Sequence, residues 1–554
     1  MKGLQGFTLS AFLLIWSTSI CAQAFVIDPS LTNKIASMDA DEEISVIVTL
    51  ADQQNFKQFR SANKKLRRAN ITRALRSKAL RTQKPLRDYL HKNNILHVRS
   101  FWIFNGLAIT LKTRQIAELA NQPDIKSITL NNTLTLPSLP PAQTSNVEWN
   151  LDAINAPAIW NFGYKGQGVI VASMDSGVDS MHPDLSSKWR GGTNSWFDPH
   201  GIYFTPHDTS GHGTQTMGAI VGGNSGGSAI GIAPEAKWIA VKIFDDFGET
   251  TSADIHAGFQ WLLDPDGKPE TDDSPDIVNG SWGYDIFVDQ CYTEFHTDIQ
   301  ALKNAGIAVI FSAGNSGPNV STSVSPANYI QSISVGSIDD QFQIANTSSR
   351  GPTPMSPPPP PDPVCDGGIF PSIVAPGENI LTTDLSFGGF PHYTTVSGTS
   401  IAAPHMSGAM ALILNAAPHL TISELEMAFV QSAVDLGDDG PDNDYGNGLL
   451  NILAAYNYFD SYSLYVSNGG NGSGRITSDA PGIDCPTDCH NDYIDGRVVT
   501  LTAVASPDSS FTGWSGDCSG TNTTCQVTVD KSKNVTANFY SFPWQLFTPI
   551  FSKQ

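Results

Sequence analysis

The stretch Gly168-Val169-Ile170-Val171-Ala172-Ser173-Met174-Asp175 decides how this chain folds. It is a short apolar run that ends on a carboxylate, the texture of a strand covered on both faces. Four more runs of the same kind follow: AKWIAVKIF at 236–244, DIVNGSWG at 276–283, IAVIFSAGN at 307–315 and SISVGSI at 332–338, with helical segments between them. That alternation predicts an α/β region, a parallel sheet with helices on both faces, spanning residues 146–456. In such sheets ligand chemistry collects at the carboxyl ends of the strands. Pro357 to Pro361 interrupts the pattern and is expected to be a stiff surface insertion.

Outward from this region the texture changes on both sides, as a 554-residue chain too long for one core requires. Residues 1–24 carry Lys2, an apolar run from Phe7 to Trp16 and an Ala22-Gln23-Ala24 end, which predicts a secretory signal; the apolar run is short for a membrane span. Residues 25–145 are expected to hold a small α+β unit with a core over 43–136. Its strands are EISVIVTL from Glu43, LAITL at 107–111 and IKSITL at 125–130, with a basic helix from Phe56 to Leu90. The proline-rich LPSLPPAQTS at 136–145 closes it as an exposed linker. Residues 464–540 read as a small all-β module, and the apolar tail 541–554 is unassigned.

Six cysteines follow the leader, and an even count in an exported chain favours disulfides. Cys485 with Cys489 and Cys518 with Cys525 are the simplest pairs and leave Cys291 with Cys365; the sequence keeps the other connectivities open. Charge divides sharply, with residues 1–150 at a net +9 and residues 151–554 at a net −30. A basic run such as Lys64-Lys65-Leu66-Arg67-Arg68 can serve nucleic acid, but the leader and the acidic remainder point to an intramolecular partner instead.

Three polar residues stand where an α/β sheet does its chemistry. Asp175 ends a strand before the turn Ser176-Gly177, His212 lies in Ser210-Gly211-His212-Gly213-Thr214, and Ser400 opens a helix in Gly398-Thr399-Ser400. Taken singly they are a turn residue, a loop histidine and a helix cap. Together they are an acid, a base and a nucleophile, and Asn315 at the end of SAGN adds an amide able to hold an oxyanion.

At this point the chain resembles the subtilisin-like serine proteases. The motifs that carry the resemblance are MDSGVDSMHPDL at 174–185, SGHGTQTMGAI at 210–220, NGSWG at 279–283, SAGNSGP at 312–318, SSRGP at 348–352, VAPGENI at 374–380 and SGTSIAAPHMSG at 397–408. The resemblance implies a secreted serine endopeptidase, monomeric, in which Asp175, His212 and Ser400 form the triad and Asn315 the oxyanion donor, with proteins and peptides as substrates. It implies that 43–136 is an inhibitory propeptide acting on its own catalytic unit.

By the same resemblance Ser281-Trp282-Gly283 and Ser312-Ala313-Gly314 form the uncharged walls of the specificity pocket. Gly248, between Phe247 and Glu249, lies on the edge that pairs with an extended peptide. Structural Ca2+ is implied too, with Asp184 as a ligand and the loop Gly223-Asn224-Ser225-Gly226-Gly227 supplying its partners. The acidic runs 264–276 and 435–444 are alternative calcium loops or simply solvated turns. The C-terminal unit, with FTGWSGDC at 511–518 and VTANF at 535–539, resembles small β repeat modules of bacterial surface and secreted proteins, and Trp514 is expected in its core.

Overall fold

The computed structural model describes residues 26–61, 63–138, 149–356, 363–388 and 392–542. The leader at 1–24, the Pro357–Pro361 run, linker residues 139–145 and nearly all of the tail lie outside the described residues.

The N-terminal unit is a four-stranded antiparallel sheet of β1 (Glu43–Leu50), β2 (Val98–Phe101), β3 (Gly106–Lys112) and β4 (Ile125–Leu130), in the order β2-β3-β1-β4. Its main helix differs from the expected Phe56–Leu90 span. Helix α1 (Lys64–Thr82) starts one residue after Asn63, whose side chain accepts from the Leu66 N–H at 2.9 Å. It stops at Gln83, because Pro85 can continue only as the first turn of a new helix, Lys84–Lys92. The short strand β5 (Thr133–Thr135) ends the unit.

The central sheet has seven parallel strands: β6 (Ile170–Asp175), β7 (Trp196–Phe197), β8 (Lys237–Lys242), β10 (Ile277–Gly280), β11 (Ala308–Ser312), β12 (Ile333–Ile338) and β13 (Ile373–Pro376). β9 (Glu249–Thr251) stands outside it, and the strand order is β13-β12-β11-β10-β6-β8-β7. The strand periodicity of two divides its side chains between two cores. Val171, Trp238, Ala240, Ile277 and Ile310 join one with helix α5 (Thr399–Ala416). Ala172, Met174, Ile239, Val278 and Phe311 join the other with α3 (Ser252–Leu263) and α4 (His296–Asn304). Helix α2 (His212–Val221) packs against α5 on the first face. The sheet is therefore buried on both sides, as its apolar strands demand.

The N-terminal unit packs on the second face, where its Ile71, Leu75, Phe101 and Phe104 enter the same core as α3 and α4. The charge division has a physical counterpart here. Arg68 of α1 is 4 % exposed, donates to the Pro275 carbonyl at 2.7 Å and pairs with Asp272 at 2.9 Å. Arg73 pairs with Glu270 at 2.8 Å, Arg76 with Asp264 at 2.6 Å, and Lys64 with Asp276. The acidic run 264–276 is thus more than a solvated turn: it receives a basic helix.

The C-terminal module, from Ser461, packs two four-stranded sheets around Leu464, Ile476, Leu501, Trp514 and Phe539. Trp514 is a core residue whose Nε1–H donates to the Asn522 carbonyl at 2.9 Å. Cys485 is bonded to Cys489, Cys518 to Cys525, and Cys291 to Cys365 across 74 residues.

Candidate active site

Asp175, His212, Asn315 and Ser400 arrive from four separate elements at the carboxyl edge of the sheet. Asp175 is the last residue of β6, and the turn after it is held open by Gly177 at φ +112°. His212 is the first residue of α2, and the helix can approach that turn because residue 213 is glycine. A Cβ there would lie 2.1 Å from the Gly177 carbonyl oxygen. His212 Nδ1–H donates to Asp175 Oδ1 at 2.7 Å, with both side chains buried. This contact fixes the tautomer and leaves Nε2 as the proton acceptor. His212 Nε2 is buried and has no hydrogen-bond partner among the described residues.

The loop before α2 is organised by Asp208, which sequence reasoning missed. Its Oδ1 accepts from Ser176 Oγ, Ser210 N and Gly211 N at 3.0 Å each; its Oδ2 accepts from Thr214 N at 2.9 Å and Thr214 Oγ1 at 2.7 Å. A carboxylate at this helix N-terminus satisfies orphan amides and complements the helix dipole.

Ser400 is the second residue of α5, whose residues are all buried. Pro404 lies four residues on and has no N–H to give the Ser400 carbonyl. That carbonyl accepts instead from Ser281 Oγ at 2.7 Å, while Ser400 Oγ donates to the Ser281 carbonyl at 3.1 Å. The proline inside the helix thus makes room for a double link to the end of β10. Asn315 Oδ1 accepts from Thr399 N at 3.1 Å and Thr399 Oγ1 at 2.8 Å, so its orientation is set and its amide N–H2 remains for a ligand. His405, one turn along, is pushed down to about 4 by burial and is a neutral packing group bonded to the Ile401 carbonyl and to Asn150.

A cavity of about 190 Å³ lies beside Ser400 and Asn315, with Gly283, Ser312 and Gly314 on its walls. Trp282 also lines it, with its ring buried against Phe295 and Phe311. Ser281 and Ala313 are fully buried and lie behind the walls rather than on them. Two lining residues escaped the sequence reading. Val324 Cγ2 would be 2.7 Å from a Cβ on Gly283 and 2.9 Å from one on Gly314, so it fills the space between the walls; Asp285 is the other. Neither falls in a quoted motif.

Gly248 sits where an extended strand is bound, and the strand is the chain's own. β5 pairs antiparallel with β9, and the Leu136 N–H donates to the Gly248 carbonyl at 2.7 Å. Pro137 and Ser138 then line the same cavity as Ser400.

Asp184 is engaged by the protein itself. Its Oδ1 accepts from the Ser225 N–H at 2.9 Å and its Oδ2 from the Tyr393 hydroxyl at 2.8 Å, and the Lys188 ammonium lies in the same loop. The residues present there do not fit a bound dication. Among the described residues, the carboxylates that do converge are Asp264, Asp266 and Asp273, with ligand atoms within 4.8 Å of one another. Burial pushes Asp264 up to about 6, against the pull of the Arg76 guanidinium.

With this geometry in place, comparison with known proteins is informative. The model of the subtilase family matches residues 166–448, and that of the divergent InlB B-repeat domain matches residues 462–542. Bacillopeptidase F of Bacillus subtilis (strain 168) is 32% identical over 488 residues, covering 80% of this chain but only 32% of its own length. Subtilisin E of the same organism is 31% identical over 365 residues, covering 64% of this chain and 82% of its own. Serine protease AprX, again from that strain, is 34% identical over 310 residues, covering 52% and 65%.

Proposed function

The chain belongs to the subtilase family of serine endopeptidases, and on that premise we propose that it is a secreted endopeptidase made as a self-inhibited precursor, with Asp175, His212 and Ser400 as its triad. The observation that carries this reading is the buried 2.7 Å contact from His212 Nδ1 to Asp175, which leaves Nε2 free to accept a proton. Ser400 Oγ gives its proton to Nε2 as it bonds to the substrate carbonyl carbon. The C–N bond breaks with that proton passing to the leaving amine, and water then releases the acyl group from Ser400. The oxyanion is held by the Asn315 amide and by the Ser400 N–H at the helix mouth, where the dipole favours negative charge.

The precursor reading is supported by β5, which lies on Gly248 as a substrate strand would, and by Pro137 and Ser138 beside Ser400. Cleavage within 137–145 frees the cleft. The chamber between Gly283 and Gly314, filled in part by Val324, suits apolar side chains of modest size. Structural calcium belongs to this reading through the family, and its support among the described residues is the carboxylate group Asp264, Asp266 and Asp273.

Ser400→Ala is expected to abolish casein hydrolysis, labelling by a serine-directed phosphonate, and removal of the N-terminal unit on a denaturing gel. Casein hydrolysis that survives in Ser400→Ala overturns the assignment.

A further inference from the structure

The loop around Asp184 holds a cation, and that cation belongs to the chain. We infer that the Lys188 ammonium is the resident cation of this loop: it stands where a calcium ion would have to sit and closes the C-terminal end of the helix that begins with His212. Three observations lead there. First, Lys188 Nζ donates to the carbonyl of Val221, the last residue of α2. Carbonyls at a helix end lack intrahelical partners, and the dipole there is negative, so a tethered ammonium satisfies both needs at once.

Second, Asp184 and Lys188 converge on one glycine. A Cβ built on Gly223 would lie 2.5 Å from Asp184 Oδ1 and 3.2 Å from Lys188 Nζ, which keeps the two charges within about 6 Å of each other. A dication beside Gly223 would meet the ammonium head-on, and Asp184 and Glu235, the two carboxylates that act on that ammonium, fall short of three positive charges in a partly buried place.

Third, several oxygens of the loop are already used. Asp184 accepts from Ser225 N and from the Tyr393 hydroxyl, the Gly223 carbonyl from Ile230 N at 3.2 Å, and the Asn224 carbonyl from Gly227 N at 3.0 Å. A calcium ion needs six to eight oxygens at about 2.4 Å, and gathering them here competes with these contacts. The loop is closed on itself in the shape that the lysine fits.

Burial lowers the Lys188 ammonium to about 8, with Asp184 and Glu235 opposing the fall and Lys237 adding to it, so the cation is charged at neutral pH. The consequence reaches the base. Helix α2 is anchored at its start by Asp208 and at its end by Lys188, and neither anchor is a metal.

The test uses the full chain carrying Ser400→Ala, so that no cleavage intervenes, with thermal unfolding at pH 7 in excess EDTA and in millimolar calcium chloride. Adding Asp184→Asn is expected to leave the calcium-induced rise in melting temperature, whatever its size, equal to that of the parent. Adding Lys188→Met leaves the Val221 carbonyl without its donor and is expected to lower the melting temperature by roughly 2–4 °C in EDTA and in calcium alike. A calcium-induced rise that disappears in Asp184→Asn, or a Lys188→Met protein that melts with its parent in EDTA, overturns the inference. The lysine variant keeps Asp184 and decides the matter should the aspartate variant fail to fold.

Discussion

At the scale of single residues, the site depends on groups that hold other groups. Ser400 is linked twice to Ser281 because Pro404 cannot occupy its carbonyl, and Asn315 is oriented by Thr399. Asn315→Ala is expected to lower kcat by about 100- to 1,000-fold with little change in KM, since the amide acts on the developing oxyanion and not on the bound peptide. Asp208 touches neither Ser400 nor the cavity, yet it holds Ser176, Gly211 and Thr214 around the His212–Asp175 pair. Asp208→Ala is expected to reduce kcat by about 100-fold through a small displacement of the imidazole while KM stays near the parent value. A loss confined to KM in steady-state kinetics would assign Asp208 to substrate binding instead. The four proposed catalytic residues were legible because glycine-rich turns mark strand and helix ends. Asp285 and Val324 were not, since their roles come from distant segments meeting in space; Asp208 carried a local signal, a carboxylate a few residues before a helix start, that the motifs did not include.

At the scale of elements, the sheet strands were legible because two-sided burial writes itself as continuous apolar sequence. The basic helix was legible as basic and as drawn to the acidic remainder of the chain, but its start, its break at Gln83 and the particular run it meets were not. The destination depends on Lys64, Arg68, Arg73 and Arg76 meeting four carboxylates some 200 residues away, which periodicity does not encode. Arg68 is the centre of that contact, with its guanidinium among the carbonyls of Ser274, Pro275 and Ala305 and the carboxylate of Asp272. Asp272 is partly exposed, so the bonds to the buried carbonyls matter more than the ion pair. Arg68→Ala is expected to weaken docking of the separately added N-terminal unit by about 2 kcal/mol or more, a loss of at least tens-fold in inhibition constant. Arg73→Ala, whose pair with Glu270 is exposed, is expected to change it by less than about 1 kcal/mol. Equal effects of the two substitutions would show that net charge alone, and not the buried fork of Arg68, drives the association. Raised salt is expected to slow the encounter in either case, because the +9 and −30 halves attract over distances that ions screen.

At the scale of the whole molecule, a buried histidine lies where the two units meet. His256 of α3 is fully buried between Glu294, at 3.1 Å from its Nε2, and Asp298, at 3.1 Å from its Nδ1. The Phe104 ring of the N-terminal unit stacks on it at 4.0 Å, Phe101 and Phe295 close its sides, and Thr129 Oγ1 donates to Glu294 at 2.9 Å. Tyr284, Tyr292 and Tyr329 complete the titratable surroundings, each held neutral by burial. Burial draws the imidazole pKa down, but the two carboxylates outweigh it and hold it up at about 9. A histidine raised in the folded state contributes stability that is complete below the unfolded value of 6.5 and is lost as pH rises through 9. Alkaline conditions are therefore expected to loosen the core beneath the N-terminal unit from within, where salt cannot reach. In Ser400→Ala protein, His256→Gln should melt well below its parent at pH 7, and the two melting curves should converge as pH approaches 10. Comparing each variant with its parent cancels the titration of surface lysines and tyrosines that both share. A gap in melting temperature that is as wide at pH 10 as at pH 7 would mean that the imidazole stabilises by packing against Phe104 alone, and that its proton has no part in holding the two units together.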